Sequence, residues 1–333
     1  MKRVVVALAL LAASACVAER GVLAPRGPAA RRLADLGWPV LIGFTAVSIV
    51  MWGLIVWIAK RRTGSLGEHD PPEIGGGEKW ILIGGLGIPV LAFAITFGAT
   101  LRTLSAFPEP MHAHGHTGVR VVGHQWWWEV HTIGQDPSDH TVSANEIHIP
   151  VGPPVDVELV TADVIHSLWV PRLHGKVDLV PGLKNHIRLQ ADAPGVYPGR
   201  CAELCGVQHA HMRFLVIAQT KEEYDRWWQN ELLPAHEPQS DAARRGKRLF
   251  ETSACLVCHR IRGTAAYATL GPDLTHLATR QTIGAGSLPN DVATLHAWVA
   301  DAPSLKPGTL MPPITSFSGE ELHDLVAYLQ ELE

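Results

Sequence analysis

The sequence has little charge of either sign. Only 18% of its 333 residues are charged while 47% are hydrophobic, a balance that is unusual for a soluble protein and indicates membrane segments. The formal net charge of −4 leaves no basic excess, which excludes a nucleic-acid partner. Cysteine is also scarce: there are five, and the two motifs described below contain four of them.

The N-terminal residues 1–16 have the plan of an export signal. A basic tip precedes an apolar run and three small residues, and Cys16 follows. Two interpretations stay open: cleavage before Cys16 with lipid attachment to this cysteine, or ordinary signal cleavage nearby. Both predict that the mature chain begins outside the cytoplasm.

Two uncharged apolar stretches, residues 38–58 and 80–101, lie within the segment 17–102. Each spans roughly 30 Å as an α-helix, the thickness of the hydrocarbon core of a membrane. We therefore predict a transmembrane hairpin in the cell (inner) membrane. The loop between the stretches carries Lys60, Arg61, Arg62 and Lys79. The positive-inside rule therefore predicts that it is cytoplasmic and that the chain that follows is periplasmic or external.

The region 103–220 alternates apolar and polar residues in short runs that Gly and Pro interrupt. Runs such as EIHIPVGPPVDVELVT and RFLVIAQT are typical of strands in a β-sandwich or a small Greek-key barrel. The region therefore predicts an all-β domain outside the membrane.

A cluster of soft ligands, CAELCGVQHAHM at residues 201–212, stands near the end of this β region. Thiolate, imidazole and thioether groups in one loop favour copper, and DVIHSLWVP supplies a further imidazole upstream. By themselves, the two cysteines could also form a disulfide or the redox pair of a membrane-anchored copper-delivery protein of thioredoxin-like fold.

The patterns D-V-I-H-S-x-W-V-P, K-V-D-L-V-P-G and C-x-E-x-C-G-x-x-H-x-x-M together resemble subunit II of the haem-copper cytochrome c oxidases. That family carries a dinuclear copper centre called CuA on a cupredoxin-like barrel. The resemblance implies that Cys201 and Cys205 bridge two copper ions. It also implies that His166 and His209 each bind one of them.

Further roles follow from the same resemblance. Met212 and the backbone carbonyl of Glu203 are implied as weak axial copper ligands. The Glu203 carboxylate is also implied in binding magnesium at the contact with the oxygen-reducing subunit, a contact that Asp178 is expected to face. Trp126, the first Trp of GHQWWWEV, is implied as the residue through which electrons reach CuA, whereas Trp128 is expected to pack in the core.

Neither apolar stretch contains histidine. Because haem a and the copper of an oxygen-reducing site are held by membrane-embedded imidazoles, the resemblance places that chemistry on a partner. The implied partners are subunit I with haem a and CuB, subunit III, and cytochrome c or another external donor. For Glu78, a role in proton uptake and simple solvation at the membrane surface both stay open.

The last third of the chain predicts a haem domain. After an amphipathic helix and a linker at residues 221–240, the domain 241–333 contains CLVCH, the covalent attachment site of a c-type haem. Cys255 and Cys258 would form the thioethers and His259 would bind the iron. Met311, in TLMPP, would be the second axial ligand. A carbonyl of the pair Gly271-Pro272 is expected to accept a hydrogen bond from the His259 ring.

The segments AARRGKRLFE and SGEELHDLVAYLQEL look like the crossed first and last helices of class I cytochromes c. Ser318 and Glu321 form a predicted capping box, followed by an apolar stripe. The predicted fold class is thus multi-domain: a two-helix transmembrane hairpin, an all-β cupredoxin-like barrel and an all-α class I cytochrome c domain.

Two groups of histidines lie outside these motifs. His112, His114 and His116 fit either a copper-capture site or a linker, and we favour the linker. His211 lies inside residues 201–212, the copper loop, and is expected to point to solvent.

The whole arrangement resembles subunit II of the caa-type cytochrome c oxidases. It implies that electrons enter through haem c and pass through CuA to haem a of subunit I, where oxygen is reduced to water and protons are translocated. Alternatives are the electron-accepting subunit of a CuA-containing nitric oxide reductase and a membrane-anchored thiol or copper-delivery protein. A quinol oxidase subunit II is disfavoured because that family lacks the copper ligands.

Overall fold

A computed structural model describes residues 21–61, 77–107, 118–134, 136 and 138–333. The export signal with Cys16 and the three histidines at 112, 114 and 116 lie outside the described residues, so those expectations stay predictions. The chain divides into two compact units, one comprising Arg31–Glu109 and the other comprising Met1–Ala30 together with Pro110–Glu333.

Two long helices, α1 (Pro28–Arg61) and α2 (Glu78–Ser105), contain the apolar stretches predicted to cross a membrane. Both are long and apolar enough to do so, and their large apolar side chains are exposed, which suits a lipid environment. Both extend beyond the predicted stretches, because residues at the polar ends continue the helix. Glu78 is the first residue of α2 and is exposed, so its role in proton uptake stays a prediction.

The residues that lead into α1 pack on the β-domain, a contact that the sequence did not suggest. The Arg26 N–H donates to the Arg172 carbonyl at 2.7 Å, and the Ala30 N–H donates to the Leu173 carbonyl at 3.2 Å. A Cβ at Gly27 would lie 2.4 Å from the Gln190 carbonyl oxygen, so only glycine permits this approach.

The β-domain is a sandwich of two five-stranded sheets, with strand orders β3-β2-β1-β5-β8 and β4-β10-β9-β6-β7. Parallel pairing of β1 with β5 and of β4 with β10 gives the Greek-key connections that the alternating sequence predicted. The strands are β1 Gly118–His124, β2 Trp127–Ile133, β3 His140–Ala144, β4 Glu146–Pro150, β5 Val155–Thr161, β6 His166–Trp169, β7 Val177–Leu179, β8 Asn185–Leu189, β9 Gly195–Cys201 and β10 Arg213–Gln219.

Trp128 lies at the centre of the sandwich core. It is fully buried, and its ring packs edge-on against Phe214 and His166 at centroid distances of 5.3 and 5.9 Å. The alternation along β1 and β2 directs every second side chain inward, which places Trp128 in the core and its neighbours nearer the surface. The expectation that Trp128 serves packing is confirmed.

A second hydrophobic core, separate from that of the sandwich, lies in the C-terminal region. The helices here are α3 Lys221–Glu231, α4 Asp241–Thr252, α5 Cys255–Cys258, α6 Val292–Leu305 and α7 Gly319–Gln330. A short hairpin, β11 (Thr282–Ile283) with β12 (Leu288–Pro289), is an addition to the all-helical domain that the sequence predicted. This hairpin contacts the copper loop.

Helices α4 and α7 cross as predicted from the cytochrome c pattern. Gly246 lies at the crossing, where a Cβ would stand 2.0 Å from the Asp324 carbonyl oxygen. Arg245 and Asp324 join the helices through two hydrogen bonds of 2.6 and 2.7 Å. The predicted capping box of Ser318 and Glu321 is present. The predicted stripe is buried: Leu322, Leu325, Val326 and Leu329.

Candidate metal centres

The copper loop is held at both ends by the sheet. β9 ends at Cys201, β10 begins immediately after Met212, and the Cys201 N–H donates to the Met212 carbonyl at 2.9 Å. β6, which begins at His166, pairs with β9 so that Leu168 lies opposite Cys201. Two neighbouring strands and one short loop thus bring the distant His166 to the loop.

The two thiols are free and buried, with their sulfurs 3.7 Å apart. His166 presents Nδ1 to Cys201 Sγ at 4.0 Å, and His209 presents Nδ1 to Cys205 Sγ at 3.6 Å. The structure therefore places one imidazole beside each sulfur, an arrangement compatible with the expectation that His166 and His209 each bind one of two copper ions.

The two weaker donors also converge on the pair. Met212 Sδ lies 3.8 Å from Cys205 Sγ, and the Glu203 carbonyl oxygen lies 3.2 Å from Cys201 Sγ. Within the described part of the chain, His166, Cys201 and Cys205 form the one group of three His, Cys, Asp or Glu residues whose ligand atoms all lie within 4.8 Å of one another. Two thiols, two imidazoles and a thioether are a donor set that fits copper.

The two neighbouring thiols have pKa values that are shifted in opposite directions. The hydrogen bond between the two sulfurs lowers the pKa of Cys201 well below its usual value and, together with burial, raises the pKa of Cys205. Cys201 is thus ready to bind as a thiolate, whereas binding through Cys205 must release a proton.

Asp163 holds His166 in the orientation that a metal ligand requires, a role that the sequence analysis missed. His166 Nε2 lies 2.8 Å from Asp163 Oδ1, which leaves Nδ1 toward the sulfur. The N–H groups of Val164 and Gln125 donate to the same carboxylate at 2.6 and 2.7 Å. Although burial opposes ionisation, these hydrogen bonds hold the pKa of Asp163 below its usual value. The signal was in the sequence, three residues before His166.

Replacing Asp163 should weaken copper binding without removing a ligand. We expect Asp163→Asn to lower copper affinity by about 10- to 100-fold, because the imidazole loses its charged acceptor and with it some orientation and basicity. Titration of the metal-free chain against a chelator of known affinity measures this. The matched control is Asp178→Asn. Asp178 is a carboxylate on β7 outside the ligand set, so this variant should bind copper as the wild type does. Equal affinities of all three proteins would contradict the role of Asp163.

Trp126 lies against the copper loop. Its Nε1–H donates to the Cys205 carbonyl at 3.0 Å, and Gln125 Nε2 donates to the same oxygen at 2.7 Å. A Cβ on Gly206 would lie 2.9 Å from Trp126 Cζ2, so the loop backbone passes close to the indole face. The ring is therefore held directly beside Cys205 of the candidate copper site, a position compatible with the electron-transfer role expected of Trp126.

The Glu203 carboxylate, which is expected to bind magnesium, and the Asp178 carboxylate, which is expected to face the same subunit contact, share a lysine. Lys176 Nζ lies 3.3 Å from Asp178 Oδ1 and 3.5 Å from Glu203 Oε2. All three side chains are more than 40% exposed, so these pairs contribute little stability. The structure confirms that Asp178 and Glu203 face one surface, and it adds Lys176, which the sequence analysis did not single out.

The haem motif lies on a short helix, α5. His259 follows it, and its Nδ1–H donates to the Pro272 carbonyl at 2.8 Å, as predicted. This hydrogen bond leaves Nε2 as the ligand atom, and burial lowers the pKa of His259, which favours the neutral ring. A Cβ on Gly271 would lie 2.8 Å from His259 Cε1, so glycine is required beside the ring.

The remaining donors fit a covalently bound haem. Cys255 and Cys258 are free, half-buried thiols, and Met311 lies half-buried in the segment between α6 and α7. Large apolar side chains adjacent to these donors and to Gly271 are exposed: Val257 58%, Leu270 74% and Leu310 87%. These exposed apolar side chains, which adjoin the donors in sequence, are compatible with a haem bound against this part of the domain.

Comparison with known proteins agrees with both sites. Residues 138–219 match the family described as cytochrome C oxidase subunit II, periplasmic domain, and residues 243–333 match cytochrome c. Cytochrome c oxidase subunit 2 of Alkalihalophilus pseudofirmus is 36% identical over 330 residues, covering 96% of this chain and 93% of that protein. The Bacillus subtilis protein of the same name is 30% identical, covering 83% and 81%.

More distant similarities cover parts of the chain. Quinol oxidase subunit 2 of Bacillus cereus is 29% identical over 222 residues, covering 66% of this chain and 75% of that protein. The solved periplasmic domain of subunit II of cytochrome oxidase from Bradyrhizobium japonicum is 25% identical with a TM-score of 0.33, covering 36% of this chain and 96% of that one. Because the full-length similarity extends across both metal sites, the chain belongs to the cytochrome c oxidase subunit 2 family, in the form that carries a fused cytochrome c domain.

Proposed function

We propose that this chain is the electron-transfer subunit II of a terminal cytochrome c oxidase. It takes electrons from cytochrome c or another external donor through a covalent haem c and passes them via dinuclear CuA to haem a of subunit I, where oxygen is reduced to water with proton translocation. Cys255, Cys258, His259 and Met311 would hold the haem. The copper ligands are those that converge around the two buried sulfurs: His166, Cys201, Glu203, Cys205, His209 and Met212.

The observation that carries this proposal is the convergence of two imidazoles, one on each of two neighbouring thiols. A disulfide-exchange protein needs no imidazole at each sulfur and no thioether beside them. The donors lie at strand ends and in a loop closed by a backbone hydrogen bond, so the protein holds them in place before metal binds. Preorganised ligands reduce the rearrangement that accompanies a change of charge at the centre.

The surroundings of the site assign further roles to this chain's residues. Trp126 would carry electrons to the centre, because its indole N–H bonds to the carbonyl of the ligand Cys205. Glu203 would bind magnesium at the contact with subunit I. Its carboxylate would then give up its ion pair with Lys176. Helices α1 and α2 would cross the inner membrane as a hairpin beside subunits I and III, with both metal domains on the periplasmic side.

Metal content and electron paramagnetic resonance of the full-length protein, purified in detergent with its partner subunits, test the proposal. The expected result is two coppers per chain in subunit II that share one unpaired electron equally, together with one covalent low-spin haem. A single isolated copper, or none, would overturn the CuA assignment and favour a thiol-redox role. Consumption of nitric oxide but not oxygen by the same preparation would support the nitric oxide reductase alternative instead.

A further inference from the structure

Lys306 is a buried lysine between the two metal domains. Only 5% of the residue is exposed, and its Nζ donates to the Trp126 carbonyl at 2.9 Å and to the Gly284 carbonyl at 3.1 Å. Within the described residues it forms no ion pair with a carboxylate. Burying an ammonium group without a carboxylate partner is unfavourable, and burial lowers the pKa of Lys306. Its two carbonyl contacts and the nearby Cys205 sulfur, which acts against that lowering of the pKa, compensate in part.

The residues that follow Lys306 also lie on the copper loop. The Pro307 carbonyl accepts a hydrogen bond of 2.7 Å from Gln208 Nε2, next to the ligand His209. Gly308 has φ +90°, and a Cβ there would lie 2.9 Å from Val207 Cγ2 and 3.4 Å from the Trp126 ring. The segment 306–308 therefore packs against Trp126. It ends three residues before Met311.

The hairpin β11–β12 makes the second contact with the same loop. The Arg213 N–H donates to the Ala285 carbonyl at 3.0 Å, and Ser287 Oγ donates to the His211 carbonyl at 3.0 Å. Arg213, the donor in the first bond, and His211, the acceptor in the second, are the two neighbours of Met212 in the chain. Further along, the Gln281 N–H donates to the buried Glu146 carboxylate at 2.7 Å. Lys306 bonds to the hairpin and to Trp126 at once, so it connects the two contacts.

We propose that Lys306 is a positioning residue that holds the cytochrome c domain on the Trp126 face of the copper domain. This inference rests on the proposed function. In this arrangement the cytochrome c domain is held in fixed contact with the copper domain. It does not reach the copper site by diffusing on a linker. The haem-ligating segment then stays beside Trp126 through each electron transfer, and soluble donors reach the chain through the haem domain because the docked segment covers the indole.

Amide hydrogen exchange on the full-length complex tests the docking without relying on activity. In Lys306→Met the Trp126 and Gly284 carbonyls lose their donor, so the interdomain amides of Arg213 and Gln281 should exchange at least about tenfold faster. Lys306→Gln, which retains an N–H donor, should restore part of the protection and replaces the Met variant if that protein does not fold. The matched control is Lys247→Met, which removes an ammonium paired with Glu237 within the cytochrome c region. It should leave both interdomain amides unchanged.

The rate of electron transfer provides the second readout. An added ruthenium photosensitiser, excited by a light pulse, gives one electron to the ferric haem and is restored by a sacrificial amine donor. The ferrous haem then passes this electron to the oxidised copper pair, and Lys306→Met should slow the second step at least about tenfold. Haem absorption and the copper resonance should stay as in the wild type. Wild-type exchange and wild-type rates in Lys306→Met would overturn the proposal. If Lys306→Met speeds amide exchange but the wild-type protein shows no electron transfer from haem to copper, the docking role is retained and the proposed function is refuted.

Discussion

Cys205→Ser is expected to reduce bound copper to less than about a tenth of the wild-type content, because soft thiolate sulfur is what selects copper at this site. Cys205 Sγ lies within 3.6 to 3.8 Å of Cys201 Sγ, His209 Nδ1 and Met212 Sδ, so its loss removes the atom around which the other donors meet. A serine hydroxyl keeps its proton near neutral pH and cannot bridge two metal ions. Electron paramagnetic resonance of the purified complex, together with elemental analysis from which the copper of subunit I is subtracted, measures the effect.

The haem of the Cys205→Ser protein should remain, because the cytochrome c region has its own hydrophobic core. His211→Gln is the matched control in the same loop. Its side chain is exposed, as the sequence predicted, and its hydrogen bonds are those of its backbone: the N–H donates to the Gln208 carbonyl at 2.9 Å, and the carbonyl accepts from Ser287 Oγ at 3.0 Å. Its copper content should equal that of the wild type. Copper retained in Cys205→Ser, or lost equally in His211→Gln, would contradict the assigned ligand set.

Gly246→Ala is expected to prevent the cytochrome c domain from reaching its native fold. Helix propensity alone predicts a gain of about 1 kcal/mol for alanine over glycine inside α4. Packing predicts the opposite, because the new Cβ would lie 2.0 Å from the Asp324 carbonyl oxygen and 2.6 Å from its carbon. These are backbone atoms of α7, so the helices must separate, and the resulting loss should exceed the roughly 1–3 kcal/mol typical of overpacking. Covalent haem per chain should fall severely.

The control for this crossing is Gly319→Ala, at the first residue of α7, where a Cβ would meet no atom within 4 Å. Its haem content and thermal stability should match or slightly exceed those of the wild type. The copper signal of Gly246→Ala should persist, since the sandwich has a separate core. Normal haem incorporation in Gly246→Ala would show that the helices do not cross at this residue.

Both metal sites could be predicted in detail because their chemistry limits the residue types. Few side chains bind copper or attach haem, and those that do stand at recognisable spacings within one loop or one short helix. Alternation of period two likewise predicted the strands and the inward direction of Trp128. The limits of α1 and α2 were harder to predict, since helix continues into polar residues where apolar content no longer marks it.

Three polar side chains show where sequence reasoning stops. Asp163, Lys176 and Lys306 act through partners that are 3, 27 and 180 residues away, namely His166, Glu203 and Trp126. Only the first is close enough for a pattern to suggest it. Lys306 bonds to two backbone carbonyls, and every residue has a carbonyl, so no residue type in the sequence marks where these acceptors lie.

The sequence by itself determined which residues can bind metal, which segments alternate as strands and which stretches are apolar enough for a membrane, because each depends on side-chain chemistry and local periodicity. Only the tertiary structure decided that the cytochrome c domain lies on the copper loop, with Gly308 against the Trp126 ring and Lys306 between the domains. That contact depends on the shape of two folded surfaces and on the directions of backbone carbonyls, which arise only when distant segments of the chain pack together.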